Sequence, residues 1–537
     1  MDNRQNVPET NELSQNAVVA AGVKTKIMPT VRDRLFFVAV IALGFALFDF
    51  ALGNCGIGTT VYFLMLFIIT AVYLMPWKST AVFPVLCGAL GMVLSVGFSV
   101  SCQTTVTFFT ILAVEFLYLV FAGGISGNLA YGTDTVAVSR DALRIFFSDS
   151  VEEVGAVFRT GKGIKDGGQL LRNIFKCTLG IVIAVPLVCV VIPLLTAADG
   201  AFDAFITRIV EADLGFDFSH LLYAIVLCPF TCGMLFSLKH KQAQKKKRID
   251  LGFAPVMLDP MITAGFLGVL TLCYLLYVYS QLGYFFSAFG GSIPNSVKTA
   301  AAYARRGFFE LCAISVINFA SIALAMFKTK QQGAYRVCKW MAVFISAFSI
   351  MLIATAQSKM LLYIKLYGLT MRRMLPSIFM VLLALAFVLL AIRIIKGRFP
   401  YMRIFVSVCA VTLILMNFAD MSAVAANYNV EVYLNKDAAW HTSTVEVDYL
   451  RSLGEPALPA LVRLYKEAED PSVRDTASAA IDRIRLDITF ENKEDGVFKR
   501  NWRDYSVAGR RADKAYDEYV EARHADSKDV YLGESIK

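Results

Sequence analysis

Charge is what this sequence has least of. Asp, Glu, Lys and Arg supply 18% of its 537 residues, against 57% apolar ones, and soluble domains carry about 25% charge. Histidine is scarcer still. His220, His240, His441 and His524 are the only four, none with a partner at metal-ligand spacing, so no metal or other cofactor is expected. No Walker loop and no Rossmann glycine pattern appears. Glu152-Glu153 followed by Arg159 has the wrong spacing and lies in polar sequence, which excludes a paired-glutamate intramembrane protease site. A cleavable signal pattern is also lacking: the first apolar run follows a polar stretch of 34 residues and reads as a retained span.

What is present is apolar sequence in runs about as long as a helix needs to cross a bilayer, roughly 17 to 25 residues. The runs predict spans at 35–52, 57–75, 80–97, 105–122, 177–196, 218–238, 261–286, 307–327, 340–356, 376–395 and 403–418. The fold class expected is all-α, a polytopic transmembrane bundle of about 11 spans with a small helical C-terminal domain. Its parts are a polar, disordered tail at 1–34, a transmembrane domain at 35–418 with a long cytoplasmic connection at 123–176, and a soluble domain at 419–537.

The net charge of +9 points to lipid rather than nucleic acid, because the Lys and Arg cluster in short connections beside spans. With the N-terminus in the cytoplasm, the inside connections hold 26 Lys/Arg and the outside ones eight. This orientation places the C-terminal domain outside the cell. Residues 357–375 fit it least, with four positive charges and no acid on the outside. Either a span is miscounted or the segment is an amphipathic extension held by packing. Residues 141–159 read as a helix on the inner membrane face, and 198–217 as an acidic interfacial helix outside.

Candidate site residues follow from the cost of polarity in lipid. Glu115, mid-span, and Arg306, Glu310, Asn318 and Ser321 form a candidate polar intramembrane site. The plainer reading pairs Glu310 with Arg306 at i, i+4. Asp49 stands near the outer end of the first span. Arg305, Lys359, Lys365, Arg372 and Arg373 form a candidate basic rim on the outer side, for an anionic head group or for the acidic stretch 198–217. Nine of the eleven cysteines read as apolar filler. Cys55 and Cys102 fall in outward-facing polar connections and are candidates for a disulfide. In the tail, Leu458, Leu461, Val462 and Tyr465 on one helix face Val473, Ala477, Ala480, Ile481 and Ile484 on the next. The pair is like a single HEAT-type repeat and needs a cover from the tail, the membrane domain or a partner.

Three segments carry a family resemblance. They are Tyr303-Ala304-Arg305-Arg306-Gly307-Phe308-Phe309-Glu310-Leu311; Tyr363-Ile364-Lys365-Leu366-Tyr367-Gly368-Leu369-Thr370 with Arg372-Arg373; and Asn427-Tyr428-Asn429-Val430, Tyr433-Leu434, Val447-Asp448-Tyr449-Leu450 and Leu453. The chain resembles, over about 35–510, the domain of unknown function 4153/4173 family of bacterial multi-pass inner-membrane proteins. The resemblance implies a membrane placement and no activity. The functional expectation is a non-enzymatic anchor or sensor in the inner membrane, in contact with lipid and coupled to a protein partner through its C-terminal domain. The alternative is a transporter or lipid-handling protein using Glu115, Arg306 and Glu310, and an intramembrane enzyme is third.

Overall fold

The computed structural model describes residues 27–47, 56–101, 103–129, 132–156, 191, 195–196, 200–202, 227–240, 258–289, 300–435, 444–491, 493–494, 497–498 and 505–534. Among these the chain is all-α apart from a two-residue antiparallel pairing, Lys493–Glu494 with Val497–Phe498. The helices are α1 (Val31–Leu47), α2 (Ile57–Tyr73), α3 (Val82–Val96), α4 (Thr104–Ile125), α5 (Ala137–Leu143), α6 (Cys228–His240), α7 (Pro260–Phe289), α8 (Ala300–Phe327), α9 (Tyr335–Tyr367), α10 (Met371–Lys396) and α11 (Tyr401–Ala419). The C-terminal helices are α12 (Met421–Leu434), α13 (Val447–Ser452), α14 (Leu458–Glu467), α15 (Pro471–Glu491) and α16 (Val507–Glu534).

Seven helical stretches among the described residues are long and apolar enough to cross a membrane: Val82–Ser99, Thr105–Ile125, Pro260–Ser280, Gly307–Phe327, Tyr335–Tyr367, Met371–Lys396 and Tyr401–Ala419. α2 is apolar but shorter. The predicted span 177–196 lies outside the described residues except for 191 and 195–196, and 218–238 is described only from 227.

The chain divides into two units, 1–42 with 148–241, and 43–147 with 242–537. In the first, Gly233 of α6 lies against the backbone of Val154. A Cβ there would fall 2.6 Å from the Val154 Cα and N atoms, so only glycine admits this approach. Residues 141–159, expected as one surface helix, are helical up to Ala156, with a π-turn at Arg144–Asp149.

In the second unit, α2, α3, α4 and α11 pack together. Glycines on α3 make room for rings: Gly91 lies under Phe67 of α2, and Gly88 under Phe121 of α4. Phe67 in turn meets Tyr118 edge-on at 5.3 Å, and the Tyr118 hydroxyl shares a hydrogen bond of 2.7 Å with Thr70. A second group, α7 to α10, is held by the stacked pairs Tyr274–Phe348 and Phe319–Phe387.

α9 runs 33 residues, about 50 Å at 1.5 Å per residue, well past its predicted span of 340–356. The helix continues because nothing breaks it before Gly368, whose φ of 77° ends it. Residues 357–367 are therefore a helical continuation of α9.

The tail helices predicted at 455–467 and 471–485 appear as a 3-10 turn, α14 and α15. Their two stripes are covered by the chain itself. Leu458, Leu461, Ala477 and Ile481 are fully buried in a core shared with Ala426 and Val430 of α12 and Ala512 and Tyr519 of α16.

Candidate functional site

The C-terminal helices are attached to the ends of several spans. Ile57 N–H, at the start of α2, donates to the Tyr505 carbonyl at 3.2 Å, and Ala508 N–H donates to the Val100 carbonyl at 3.2 Å. The turn between α9 and α10 is gripped from the other side of the domain. The Asn429 side chain on α12 accepts from Leu369 N–H at 2.8 Å and donates to the Leu369 carbonyl at 2.7 Å, as a second backbone strand would. Met371 N–H donates to the Tyr449 hydroxyl at 3.1 Å. Connections around 56, 100 and 369 and the C-terminal domain therefore share one end of the bundle. At the opposite end, Lys78 N–H bonds the Ile125 carbonyl, Arg403 pairs with Asp134 at 2.7 Å, Leu258 bonds the backbone at 328–330, and Lys339 bonds the Ile395 carbonyl. This partition is the alternation that the span order requires.

Two of the three segments that carry the family resemblance meet at this junction, and the third packs further along α9 and α10. Gly368 and Leu369 touch Asn429, and Met371 touches Tyr449. The Arg373 guanidinium bonds the Tyr367 and Gly368 carbonyls and lies 4.3 Å over the Tyr363 ring. In the Tyr303–Leu311 segment, Phe308 meets Phe379 of α10 and Gly307 lies beside the Lys359 side chain. Burial holds the Tyr449 phenol above its ordinary pKa, partly offset by the Met371 N–H and the nearby Arg373.

Asp420 is the hinge between α11 and α12. It is 3% exposed and left-handed, at φ 49° and ψ 83°, and its carboxylate accepts from Ala423 N–H to cap α12. One turn earlier, Asn417 donates to the Thr110 hydroxyl at 2.8 Å. Burial pushes the Asp420 carboxyl above the usual carboxylate range, against the lowering effects of the Ala423 and Ser422 N–H groups, Arg511 and the Ser101 hydroxyl. A carboxyl raised on folding contributes stability that is complete below its ordinary value and lost as pH rises through the raised one. In melting of the purified full chain, the Asp420 contribution should therefore be lost as pH rises above about 4, the ordinary carboxylate value. Asp420→Asn, which still caps, should flatten that slope. A slope of the opposite sign would mean that Arg511 and the N–H donors outweigh burial.

The predicted intramembrane residues separate. Asn318 is fully buried, donates to Ser349 at 2.8 Å and accepts from the Tyr274 hydroxyl. Ser321 bonds back to the Ile317 carbonyl. Glu310 is exposed on α8. Glu115 is half-buried on α4, one turn from exposed Leu112, with no partner among the described residues. α4 packs on α2, α3, α5 and α11, whereas α8 packs on α7 and α9, so Glu115 and Glu310 belong to different helix groups. Arg305 and Arg306 lie early in α8, and their side chains are outside the described residues. Of the basic rim, Arg373 is committed to the turn, Lys359 is half-buried on α9, and Lys365 and Arg372 are exposed. Cys55, Cys102, Asp49 and most of 198–217 lie outside the described residues. Cys87, Cys228, Cys232, Cys273, Cys312, Cys338 and Cys409 are free thiols.

Sequence reasoning missed a charged cluster in the first unit. Asp33, with no exposed side-chain surface, accepts from Lys239 at 3.0 Å, stands 3.1 Å from His240 Nε2, and caps the start of α1 with Thr30. Thr30-Val31-Arg32-Asp33 has the spacing of a reciprocal cap, a signal that was available in the sequence.

A family model described as a domain of unknown function (DUF4153) matches residues 64–464, from α2 to α14 and narrower than the 35–510 expected from the resemblance. No curated protein and no solved structure matches the chain.

Proposed function

The chain belongs to the DUF4153 family, and from that membership and the junction we propose that it is a non-enzymatic coupling protein of the bacterial inner membrane. In this reading the spans sense a condition of the membrane, and the helical C-terminal domain, held outside the cell, presents it to a protein partner. The observation that supports it is the grip of Asn429 and Tyr449 on the α9–α10 turn. A shift of those span ends has to move the domain, because backbone groups are bonded directly to its side chains. The tail's stripes no longer argue for a partner, since α12 and α16 cover them. A surface open to one is a groove of about 400 Å³ between α14 and α16, where Arg463 and Lys466 are paired with Glu467 and Glu518 while Arg511 and Lys514 stand exposed. An acidic segment suits it.

The coupling and transport readings give opposite complementation patterns. In a strain lacking the chain, coupling expects Glu115→Gln to restore the wild-type phenotype and Asn429→Ala, inserted at equal level, to fail. The reverse pattern would favour transport and overturn the proposal. Sidedness has its own check. A cysteine at exposed Ser472 should react with an impermeant maleimide in intact cells, and one at Arg398 only after lysis.

A further inference from the structure

Two cysteines of the first unit, Cys228 and Cys232, fall four residues apart, so α6 presents them on one face. Their Sγ atoms stand 4.0 Å apart, and the residues are 2% and 0% exposed. Both are free thiols. The helix that carries them is closely fixed. A Cβ on Gly233, the next residue, would fall 2.6 Å from the Val154 backbone, so α6 lies directly on that segment. Phe236 and His240 continue the same face to the end of α6, with rings 4.5 Å apart and the His240 side chain 22% exposed.

Apolar filling explains the burial of each thiol. The distance between them decides what else the pair can hold. Cβ atoms at i and i+4 on a helix stand about 5–6 Å apart, whereas a disulfide needs about 3.5–4.5 Å, so oxidation would have to distort α6. A single metal ion is the other bridge. Metal–thiolate bonds are about 2.3 Å long, so two sulfurs on one ion lie ~4.6 Å apart when collinear with it and ~3.8 Å apart at a tetrahedral angle. The observed 4.0 Å falls between these, and an ion enters with the backbone in place. The number and kind of ligands set its class. Among the described residues no group of three or more His, Cys, Asp or Glu side chains is placed to hold a metal. The pair thus lacks the four ligands of structural zinc and the oxygen cage of calcium. Two soft sulfurs select Cu(I). Charge agrees, because a monovalent ion on one thiolate and one thiol makes a neutral unit, the form that a buried site favours.

We infer that Cys228 and Cys232 form a binding site for a soft monovalent metal ion of the Cu(I) type. Binding forms two metal–sulfur bonds, breaks one S–H bond and releases that proton to solvent, and the oxidation state of the ion does not change. Burial of both sulfurs keeps water off the bound ion. This goes beyond the coupling role and does not depend on it.

Copper retention tests it. The full chain, purified in detergent without oxygen, is loaded with Cu(I) and dialysed against a Cu(I) chelator, and copper per chain is read by mass spectrometry. Losing an outer-shell partner costs a metal site about 10–100-fold in affinity, so losing one of two direct ligands should cost at least about 100-fold. Cys228→Ser and Cys232→Ser should each lose one equivalent, and the double variant should lose no more. Cys338→Ser, which removes a buried thiol on α9, should retain it. A wild type that holds no copper, retention of the equivalent by Cys228→Ser, or its equal loss in Cys338→Ser would overturn the inference. X-ray absorption of the wild type with one equivalent of Cu(I) needs no variant to fold. Two sulfur neighbours alone are expected, and a third sulfur or any nitrogen or oxygen neighbour would overturn the inference equally.

Discussion

Gly368→Ala should release the C-terminal domain from the α9–α10 turn. Gly368 has φ 77° and ψ 179°, a region that L-residues enter at a cost of about 1–3 kcal/mol. A Cβ on it would also fall 2.5 Å from the Asn429 Oδ1, the atom that accepts from Leu369 N–H. The methyl group and the hydrogen bond cannot both stay. Losing the two bonds between Asn429 and Leu369 adds about 1 kcal/mol each, so the total should reach about 3–5 kcal/mol. Thermal unfolding of the detergent-purified full chain would show it as a clear drop in midpoint. Asn429→Ala alone should give the smaller loss. In the double variant the two effects should add to less than their sum, because both act on the same contact. A Gly368→Ala chain that melts with the wild type would show that the turn does not hold the domain.

That contact also marks the limit of what the sequence disclosed. Spans are legible because lipid makes the rule simple: a helix must be apolar for as long as the bilayer is thick. The rule says nothing of where a helix stops once it has left the lipid, so α9 was expected to end at 356 and runs to Tyr367. Part of the positive charge of 357–375 is used where that extension ends: Arg373, in the first turn of α10, is spent on two carbonyls and two tyrosine rings. Amphipathic stripes on α14 and α15 were readable from their period, but their cover was not, because Tyr519 and Ala512 come from a helix over 20 residues further on. The junction escaped for the same reason. Asn429 and Leu369 are 60 residues apart, and no periodicity links a side-chain amide to one particular peptide group. Family motifs flagged both partners separately, and only the fold brings them together. Among the membrane residues, Asn318 was visible as a polar group at depth. Its partners Tyr274 and Ser349 were not, because a tyrosine and a serine in separate spans are ordinary residues until they face each other.

Asp33→Ala should be the most damaging substitution in the first unit. The carboxylate is fully buried and answers to two elements at once. It receives the Thr30 N–H and hydroxyl at 2.8 Å each, within its own helix start, and the Lys239 ammonium at 3.0 Å from the end of α6. Positive groups in the last turn of α6 suit the helix dipole, and the negative group in the first turn of α1 suits its own, so the pair joins two helix ends that each favour it. Removing one member of a buried pair costs about 3–5 kcal/mol, because the other charge is left without compensation. Lys239 is about one-fifth exposed, which places the expected loss near the lower figure. Asp33→Asn keeps an acceptor for Thr30 but turns a neutral amide toward Lys239, so its loss should be smaller. The combination Asp33→Asn with Lys239→Met should recover most of it, since the cation that faced the carboxylate is removed with it. The readout is the unfolding midpoint of the full chain, together with disulfide trapping between cysteines at Phe37 and Phe236, whose rings lie 6.2 Å apart. Trapping should fail in Asp33→Ala and return in the neutral pair. If trapping and midpoint are unchanged in Asp33→Ala, the charges do not hold α1 to α6.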